Sequence, residues 1–215
     1  MRVEPVNTVT YGLSVKKSMR GSMAKKKKDR LAAKDWLAGA FRALTSGGPA
    51  AIKAEAIARE LGVSKGSFYW HFADVPTLKS QMLAHWEQTA TEAIIVELEQ
   101  ASGSAPEKLR QLMAVTTSGL DNPYGGPLAE PAIRDWSRYD EAVSAVVKRV
   151  DAARIRYVEG LFRETKFNSK QSKRYAALLY SALVGADILS EHKLANPKIL
   201  MPELLELLLE QKEND

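Results

Sequence analysis

The residues best suited to chemistry lie in one short stretch, from Ser64 to His71. They combine a lysine, two hydroxyl groups, a glycine, two aromatic rings and an imidazole: Ser64, Lys65, Gly66, Ser67, Tyr69, Trp70 and His71. On a helix, Phe68 and Phe72 share one face, which turns Lys65, Gly66 and Tyr69 outward. Lysine reaches guanine acceptors or phosphate, tyrosine contacts bases, and glycine admits close backbone approach. The pattern predicts a surface for a DNA major groove; interior packing of Tyr69 and Trp70 is the alternative.

Two preceding helices are predicted to position this stretch. An apolar stripe at helical spacing marks the first of them: Ala33, Trp36, Leu37, Ala40, Phe41 and Leu44. A second stripe follows: Ala54, Ile57, Ala58 and Leu61. Gly62 then supplies a left-handed helix stop, Ser64 an N-cap, and Val63 with Phe68 a hydrophobic staple. The segment is therefore predicted to be a helix-turn-helix followed by a third helix at 65–72.

The segment GVSKGSFYWHFADVPTLKSQML, residues 62–83, resembles the helix-turn-helix and following helix of the TetR family of bacterial transcriptional regulators. The resemblance begins near Asp29. It implies an all-helical homodimer with an N-terminal DNA-binding domain and a larger C-terminal domain for ligand sensing and dimerisation. It also implies base-reading roles for Lys65, Gly66 and Tyr69, and phosphate contacts for Trp70 and His71. Ser64 and Ser67 belong to the same predicted DNA-binding set.

Two positions depart from the family's pattern. Lys53 stands where the family often has a capping Thr or Ser; it has no acceptor and cannot cap, but it can contact phosphate as a charge. Ala73, Asp74 and Val75 stand where the family often has a lysine, so one phosphate contact is expected to be missing. Asp74 is predicted to cap the fourth helix. The lysine run at 25–28 offers a compensating contact along the DNA backbone.

The charge of the chain is unevenly distributed. The net charge of +5 divides into +7 for residues 1–28, +2 for 29–80 and −4 for 81–215. Such a distribution is typical of a chain whose N-terminal part meets a polyanion; a solubilising tail is the alternative. Residues 1–27 are predicted to be a disordered basic extension, and they lack the apolar run of a secretory signal. Met19 and Met23 are alternative starts.

Several functional classes find little support. The 215 residues include no cysteine, which excludes disulfides, thiolate metal sites and cysteine nucleophiles, so a reducing cytoplasm is expected. The family resemblance implies a bacterial cytoplasm and association with the nucleoid. The longest charge-free run, Tyr175 to Ala186, is too short to cross a bilayer. Gly62 to Gly66 fits the GxSxG elbow of hydrolases, but a helix rather than a strand is predicted before Ser64. We expect no enzyme activity, no metal and no cofactor.

The chain after residue 28 is predicted to be all-α, with about nine helices. Glycine- and proline-rich breaks separate them, and Pro202 is expected to precede the last helix. Beyond a connecting helix at 76–100, further helices are predicted near 105–120, 128–138, 140–165, 170–192 and 202–212. The proposed division is a basic extension at 1–27, a helix-turn-helix domain at 28–75, and a regulatory and dimerisation domain at 76–215.

An apolar ligand pocket is predicted in the C-terminal part, because methionines and aromatic residues suit variable apolar ligands. Its candidate residues are Met82, Trp86, Met113, Tyr124, Ile133, Trp136, Tyr139 and Tyr157; ordinary core packing is the alternative for each. Arg154 lies within a buried stripe and needs a partner. Asp135, Asp140 or Asp151 can serve, or else an acidic ligand.

Two helices near the C-terminus are predicted to form a dimer interface. Small residues within an apolar helix permit close approach, and the last helix has more leucines than a monomer's surface normally exposes. The candidates are Tyr175, Leu179, Ala182, Leu183, Ala186, Leu204 and Leu208. Together the helices form a four-helix bundle with the second subunit; capping of one protomer's own core is the alternative.

These observations predict a ligand-responsive transcriptional regulator. A homodimer is expected to bind a palindromic operator on double-stranded DNA, and a small-molecule effector to release it. The family resemblance implies repression, whereas the sequence itself does not distinguish a repressor from an activator. The alternative is a helical dimer that binds DNA weakly and non-specifically and serves mainly as a ligand-binding or interaction module. Steep salt dependence with little sequence preference is the mark of the alternative.

Overall fold

The computed structural model describes residues 31–119 and 122–212. All regular secondary structure within these ranges is helical, as predicted. The predicted basic extension and the lysine run at 25–28 lie outside them. The α-helices are α1 (Ala33–Gly47), α2 (Ala54–Glu60), α3 (Val75–Glu87), α4 (Ala93–Gln100), α5 (Ala105–Thr116), α6 (Ala129–Trp136), α7 (Glu141–Arg163), α8 (Ser169–Glu191) and α9 (Pro197–Leu209).

Side-chain caps fix where the helices begin. The Asp74 carboxylate accepts a hydrogen bond of 2.7 Å from the Thr77 backbone N–H, which confirms the predicted cap of α3. The side chain of Thr77 and, second, this backbone N–H hold the pKa of Asp74 below its ordinary value. Asp140 and Asn168 cap α7 and α8 in the same way. These caps satisfy backbone donors that the first helical turn leaves without partners.

Three local predictions differ from the structure. The predicted third helix at 65–72 is a 3-10 helix, Lys65–Trp70, with one wider turn at its end, where the Phe72 N–H donates to the Phe68 carbonyl. Ser64 has the extended backbone of an N-cap but makes no capping hydrogen bond through its side chain. The last helix begins at Pro197 and includes Pro202. Burial of one face of α9 outweighs the hydrogen bond that Pro202 cannot donate.

The connecting helix predicted at 76–100 contains an irregular turn. Helices α3 and α4 are joined without a break by a π-helical turn, Gln88–Glu92. A π-turn widens the helix and displaces the backbone carbonyls from their regular partners, and such turns are frequent at functional sites. Here the displaced region faces α7, whose Arg154 contacts it directly.

Two apolar clusters form the core. The first joins α1, α2 and the 3-10 helix to α3, α6 and the beginning of α7; the second joins the end of α7 to α4, α5, α8 and α9. Helices α1 and α2 cross closely at Gly39, where an added Cβ would lie 2.6 Å from Ile57 Cγ2. We call the segment from α1 to Trp70 the head and the segment from α4 to α9 the body.

The first cluster crosses the predicted domain boundary at residue 75. Trp86, Ile133 and Val147 pack in the same cluster as Trp36 and Phe68 of the head. The chain from Leu31 onward clusters as one compact unit. The two-domain division therefore stays a prediction. None of the helices described has the length and apolar character to span a membrane.

Candidate DNA interface and ligand cavity

The 3-10 helix presents its aromatic residues in two opposite directions. Phe68 is fully buried and meets Trp36 of α1 edge to face, with ring centroids 5.3 Å apart. Tyr69 and Trp70 are 57% and 80% exposed. The interior-packing alternative for these two residues is therefore wrong. An exposed tryptophan beside an exposed tyrosine costs hydrophobic free energy in water, and this cost is recovered where a partner covers them.

Lys65 is held in place by the preceding helix. Its Nζ forms an exposed ion pair with the Glu55 carboxylate of α2. The hydrogen bond with Lys65 holds the pKa of Glu55 below its ordinary value, and the same contact raises the pKa of Lys65. The ammonium group at the start of the 3-10 helix is thus charged and oriented, with a carboxylate beside it.

The remaining residues of the predicted DNA-binding set surround Lys65 and Tyr69. Ser64 and Gly66 are exposed, and Ser67 and His71 are partly exposed. A Cβ added at Gly66 would meet only Ser64 Oγ, at 3.7 Å, so the fold itself does not require a glycine there. Lys53 lies exposed at the start of α2, without a capping hydrogen bond. Ser64 follows α2 and a glycine turn rather than a strand, so the GxSxG match lacks the context of a nucleophile elbow.

A cavity of about 820 Å³ lies in the body. Four of the predicted pocket residues line it: Trp86, Met113, Tyr124 and Tyr157. The other candidate residues do not line this cavity. Met82, Ile133 and Trp136 belong to the first apolar cluster, because α3 and α6 turn these side chains toward the head and the start of α7. Tyr139 follows the end of α6 and is 84% exposed.

The partner of Arg154 is Glu130, which the sequence reasoning missed. Arg154 Nη1 donates to both Glu130 carboxylate oxygens at 2.9 Å, Nε donates to Thr91 Oγ1 at 3.0 Å, and Nη2 donates to the Ala90 carbonyl at 3.0 Å. Of the predicted partners, Asp135 and Asp140 do not contact Arg154. Glu130 was detectable only as half of an i,i+4 pair with Arg134, since its contact with Arg154 is long-range.

Asp151 completes this cluster from the other side. Arg134 Nη2 donates to Glu130 Oε1 and to Asp151 Oδ1, each at 2.7 Å, and the Tyr180 hydroxyl donates to Asp151 Oδ1 at 2.6 Å. Burial raises the pKa of Glu130, but the two arginines outweigh burial and hold that pKa below its ordinary value. Two guanidinium groups and two carboxylates thus neutralise one another at the cavity wall.

Asp187 of α8 also lines the cavity, outside this neutral cluster. Among the described residues its carboxylate forms neither an ion pair nor a hydrogen bond. Burial raises its pKa to about 6, and the nearby Glu130 adds to this effect, while Arg134 and Arg154 oppose it. Asp187 was not among the predicted site residues, because an aspartate in an apolar helix gives no sign of which side it faces.

Residues from the head and from the connecting helix contribute to the cavity wall. Phe41 of α1 lines the cavity and meets Tyr124 edge to face, with ring centroids 5.8 Å apart. Tyr124 also contacts His85 of α3, at 4.2 Å between centroids. Burial lowers the pKa of His85, and its Nε2 has no partner among the described residues. A molecule in the cavity would therefore touch α1 of the head through Phe41 and α3 through Trp86.

The predicted dimer helices carry an apolar surface, but mostly through residues other than those predicted. Tyr175, Leu179, Ala186 and Leu208 are buried in the protomer's own second cluster, and Ala182, Leu183 and Leu204 are partly buried against it. The opposite face of α8 and α9 is exposed and apolar. It consists of Leu178, Ile188, Leu189, Leu200 and Leu207, which we call the leucine face.

Comparison with known proteins gives a family match for the head. Residues 37–74 match the family model of bacterial regulatory proteins of the tetR family. This range includes α2, the glycine turn and the 3-10 helix. No curated protein sequence is significantly similar to the chain.

Solved structures share the fold of most of the chain. A TetR transcriptional regulator from Legionella pneumophila matches with a TM-score of 0.66 and 16% identity over 83% of this chain and 95% of its own. A transcriptional regulator from Saccharomonospora viridis, in complex with choline, matches with a TM-score of 0.68 and 16% identity over 83% and 96%. The fatty acid degradation regulator FadR from Bacillus halodurans matches with a TM-score of 0.64 and 14% identity over 85% and 100%. These findings confirm the resemblance seen in the sequence.

Proposed function

We propose that this chain, which combines the DNA-binding segment of the TetR family with the fold of its transcriptional regulators, is a ligand-responsive repressor. It acts in the cytoplasm as a homodimer on a palindromic operator. The observation that carries the proposal is the exposed face of the 3-10 helix within the matched segment. The buried side chains of the head pack into the first apolar cluster, and Tyr69 and Trp70 stay exposed outside it.

In the proposed complex, each protomer inserts its 3-10 helix into a major groove. Lys65 and Tyr69 read base edges, and the absent side chain at Gly66 admits the DNA backbone or a base edge. Trp70, His71, Ser64, Ser67 and Lys53 contact the sugar-phosphate backbone around it. Contacts with the sugar-phosphate backbone position the head, whereas contacts with base edges select the DNA sequence.

In the proposed release, a molecule in the cavity acts on the head through two contacts. The first is Phe41 of α1, which lines the cavity. The second is Arg154, whose hydrogen bonds end on Ala90 and Thr91 in the π-turn of the connecting helix. Displacement of either changes the separation of the two heads, so that ligand and operator favour different states and weaken each other's binding.

Dimerisation is proposed to occur through the leucine face. Five exposed large apolar side chains on two adjacent helices form a patch that a soluble monomer rarely exposes. Two copies related by a two-fold axis would pair α8 and α9 as a four-helix bundle. The predicted helices are retained in this proposal, and the predicted residues are replaced by those on their exposed side.

The experiment that tests the function is selection of bound duplexes from a random DNA library at near-physiological salt. We expect a palindrome to be enriched, and Lys65→Ala to relax the choice of bases at one position of each half-site by about 1–3 kcal/mol. Lys148→Ala is the matched control, because it removes one exposed lysine from α7, far along the chain from the head. Unaltered specificity in Lys65→Ala would show that another element reads the DNA.

One observation favours the non-specific alternative. The Glu55 carboxylate beside Lys65 neutralises the reading cation in the free chain, and no lysine stands at 73–75. If no sequence is enriched and binding disappears steeply as salt rises, the protein binds DNA through its charge alone. Comparing the full chain with one that begins at Met23 then shows whether residues 1–22 contribute to that binding.

A further inference from the structure

The cavity has a group of interacting polar side chains and, separately from them, apolar walls. Glu130, Arg154, Tyr180 and Asp187 all line the cavity and influence one another's pKa values. Trp86, Met113 and other apolar side chains make up most of the remaining wall. A ligand that fills this cavity therefore needs an apolar body and one polar end.

The two arginines of the cluster are not free to bind an anion. Arg154 already donates to the Glu130 carboxylate, to Thr91 Oγ1 and to the Ala90 carbonyl. Arg134 is shared between Glu130 and Asp151. An acidic ligand would have to displace one of these carboxylates, and a buried carboxylate left without its arginine is costly. The cluster thus argues against the acidic ligand that the sequence left open.

Asp187 adds a negative charge beside the neutral cluster of two arginines and two carboxylates. The neutral cluster leaves its carboxylate as an additional negative group, half-buried and without a donor among the described residues. The neighbouring hydroxyl of Ser190 donates to the Asp187 backbone carbonyl at 2.7 Å rather than to its carboxylate. The Thr116 and Thr117 hydroxyls of the cavity wall likewise donate to carbonyls of α5. Lys198 also lines the cavity but forms no ion pair with Asp187 among the described residues, so a bound molecule can supply the missing donor.

We propose that the effector is an amphipathic amine, whose protonated nitrogen donates to the Asp187 carboxylate and whose apolar body fills the cavity beside Trp86. The proposal rests on the proposed function for the role of this cavity. An ammonium group supplies both the opposite charge and the N–H donors that the carboxylate lacks. Neutral alcohols supply only a donor, and carboxylic acids bring a second negative charge.

Three probes with the same apolar body test the proposal: decylamine, decanol and decanoate. Binding is measured by isothermal titration calorimetry on the full chain without DNA at pH 7.5. We expect decylamine to bind at least about tenfold more tightly than decanol, a difference of about 1.4 kcal/mol. Decanoate is expected to bind more weakly than decanol. Equal affinity for amine and alcohol, or a preference for decanoate, would overturn the proposal.

Substitution of Asp187 tests the site itself. Asp187→Asn keeps the shape but removes the charge, so we expect it to abolish the preference for decylamine and to leave decanol binding unchanged. Asp187→Leu should strengthen decanol binding instead, which shows that the cavity is intact. Glu191→Gln is the matched control, because it removes an exposed carboxylate one turn further along α8, at the rim of the cavity. An unchanged amine preference in Asp187→Asn would contradict the assignment.

The preference is also expected to weaken with acid. Asp187, whose pKa burial raises to about 6, is neutral at pH 5, whereas an alkylamine stays charged. Glu130, Arg134 and Arg154 act on the same carboxylate, and Tyr180, Glu191 and Lys198 also line the cavity. The arginines hold the pKa values of Glu130 and Asp151 below their ordinary values, so both carboxylates stay ionised at that pH. These measurements need no DNA, so they are independent of the proposed function. If no preference for the amine is found but an operator is selected, the amine proposal is wrong and the proposed function as a regulator still stands.

Discussion

At the scale of single residues, most of the charges discussed above form ion pairs, whereas one does not. Lys65 and Glu55 pair at the surface, where solvent screens them and the pair contributes little to stability. Arg154 and Glu130 pair at the cavity wall, where loss of one partner would strand the other. Asp187 has no such partner, and its raised pKa records the cost of keeping it ionised.

This cost predicts how stability depends on pH. The folded pKa of Asp187, about 6, exceeds the value of about 3.9 expected in the unfolded chain. Between these values the folded state binds more protons, so the group's contribution to the free energy of unfolding falls as the pH rises through this window. Asp187→Asn should therefore melt at a higher temperature than wild type at pH 8, and the difference should shrink toward pH 4. Circular dichroism melts check this.

Glu191→Gln again serves as the control for loss of one negative charge from α8. A melting temperature of Asp187→Asn below that of wild type at pH 8 would mean that the carboxylate stabilises the empty cavity. Such a result would point to a donor within the protein rather than in a ligand.

The sequence predicts most at residues whose neighbours are local. The cap at Asp74, the buried Phe68 and the exposed Tyr69 and Trp70 all follow from spacing within one or two helical turns. The cavity was predicted poorly for the opposite reason. Glu130 meets Arg154 from 24 positions away, and which side of α3 or α6 faces the cavity depends on how helices distant in sequence pack.

At the scale of elements, the glycines show where helices need close contact and where they do not. Gly39 of α1 faces Ile57 of α2 across a crossing with no room for a methyl group. Gly160 of α7 has open space where its Cβ would stand. The sequence alone does not distinguish these two glycines, because both lie in apolar helical patterns.

A matched pair of substitutions follows. Gly39→Ala should destabilise the chain by about 1–3 kcal/mol, because the added methyl group forces α1 away from Ile57. Gly160→Ala should stabilise it by about 0.5–1 kcal/mol, because alanine loses less backbone entropy in a helix. Urea unfolding of both variants at one pH gives the two free energies. Similar values of the same sign would contradict the close crossing of α1 and α2.

At the scale of the whole molecule, the 3-10 helix and the leucine face are two exposed surfaces with different chemistry. The 3-10 helix exposes a lysine and two aromatic rings, whereas the leucine face exposes aliphatic side chains alone. The 3-10 helix suits a polar, charged partner, and the leucine face suits the same face of a second protomer. The pattern of small residues and leucines predicted the dimer helices, but identifying the exposed side of each helix required the three-dimensional packing.

Charged substitutions on the leucine face should separate the dimer. Leu178→Asp with Leu207→Asp places four carboxylates in a two-fold interface, because each change occurs in both protomers. We expect the dissociation constant of the dimer to rise at least about a hundredfold, with the monomer still folded. Sedimentation equilibrium measures the change, and Tyr139→Asp, on an exposed residue outside the face, is the control. An unchanged mass would assign dimerisation to another surface.

Phe41 belongs at once to the helix that begins the head and to the wall of the cavity. Head and body are therefore not interchangeable modules. Exchanging residues 31–74 for the head of a related regulator, as is done to redirect a sensor to a new promoter, would replace part of the sensor's own lining. A chimera whose transplanted head keeps phenylalanine at position 41, against the Tyr124 that it contacts, should preserve the response. The segment to transplant is therefore the head of the relative with this one residue of the original sensor restored.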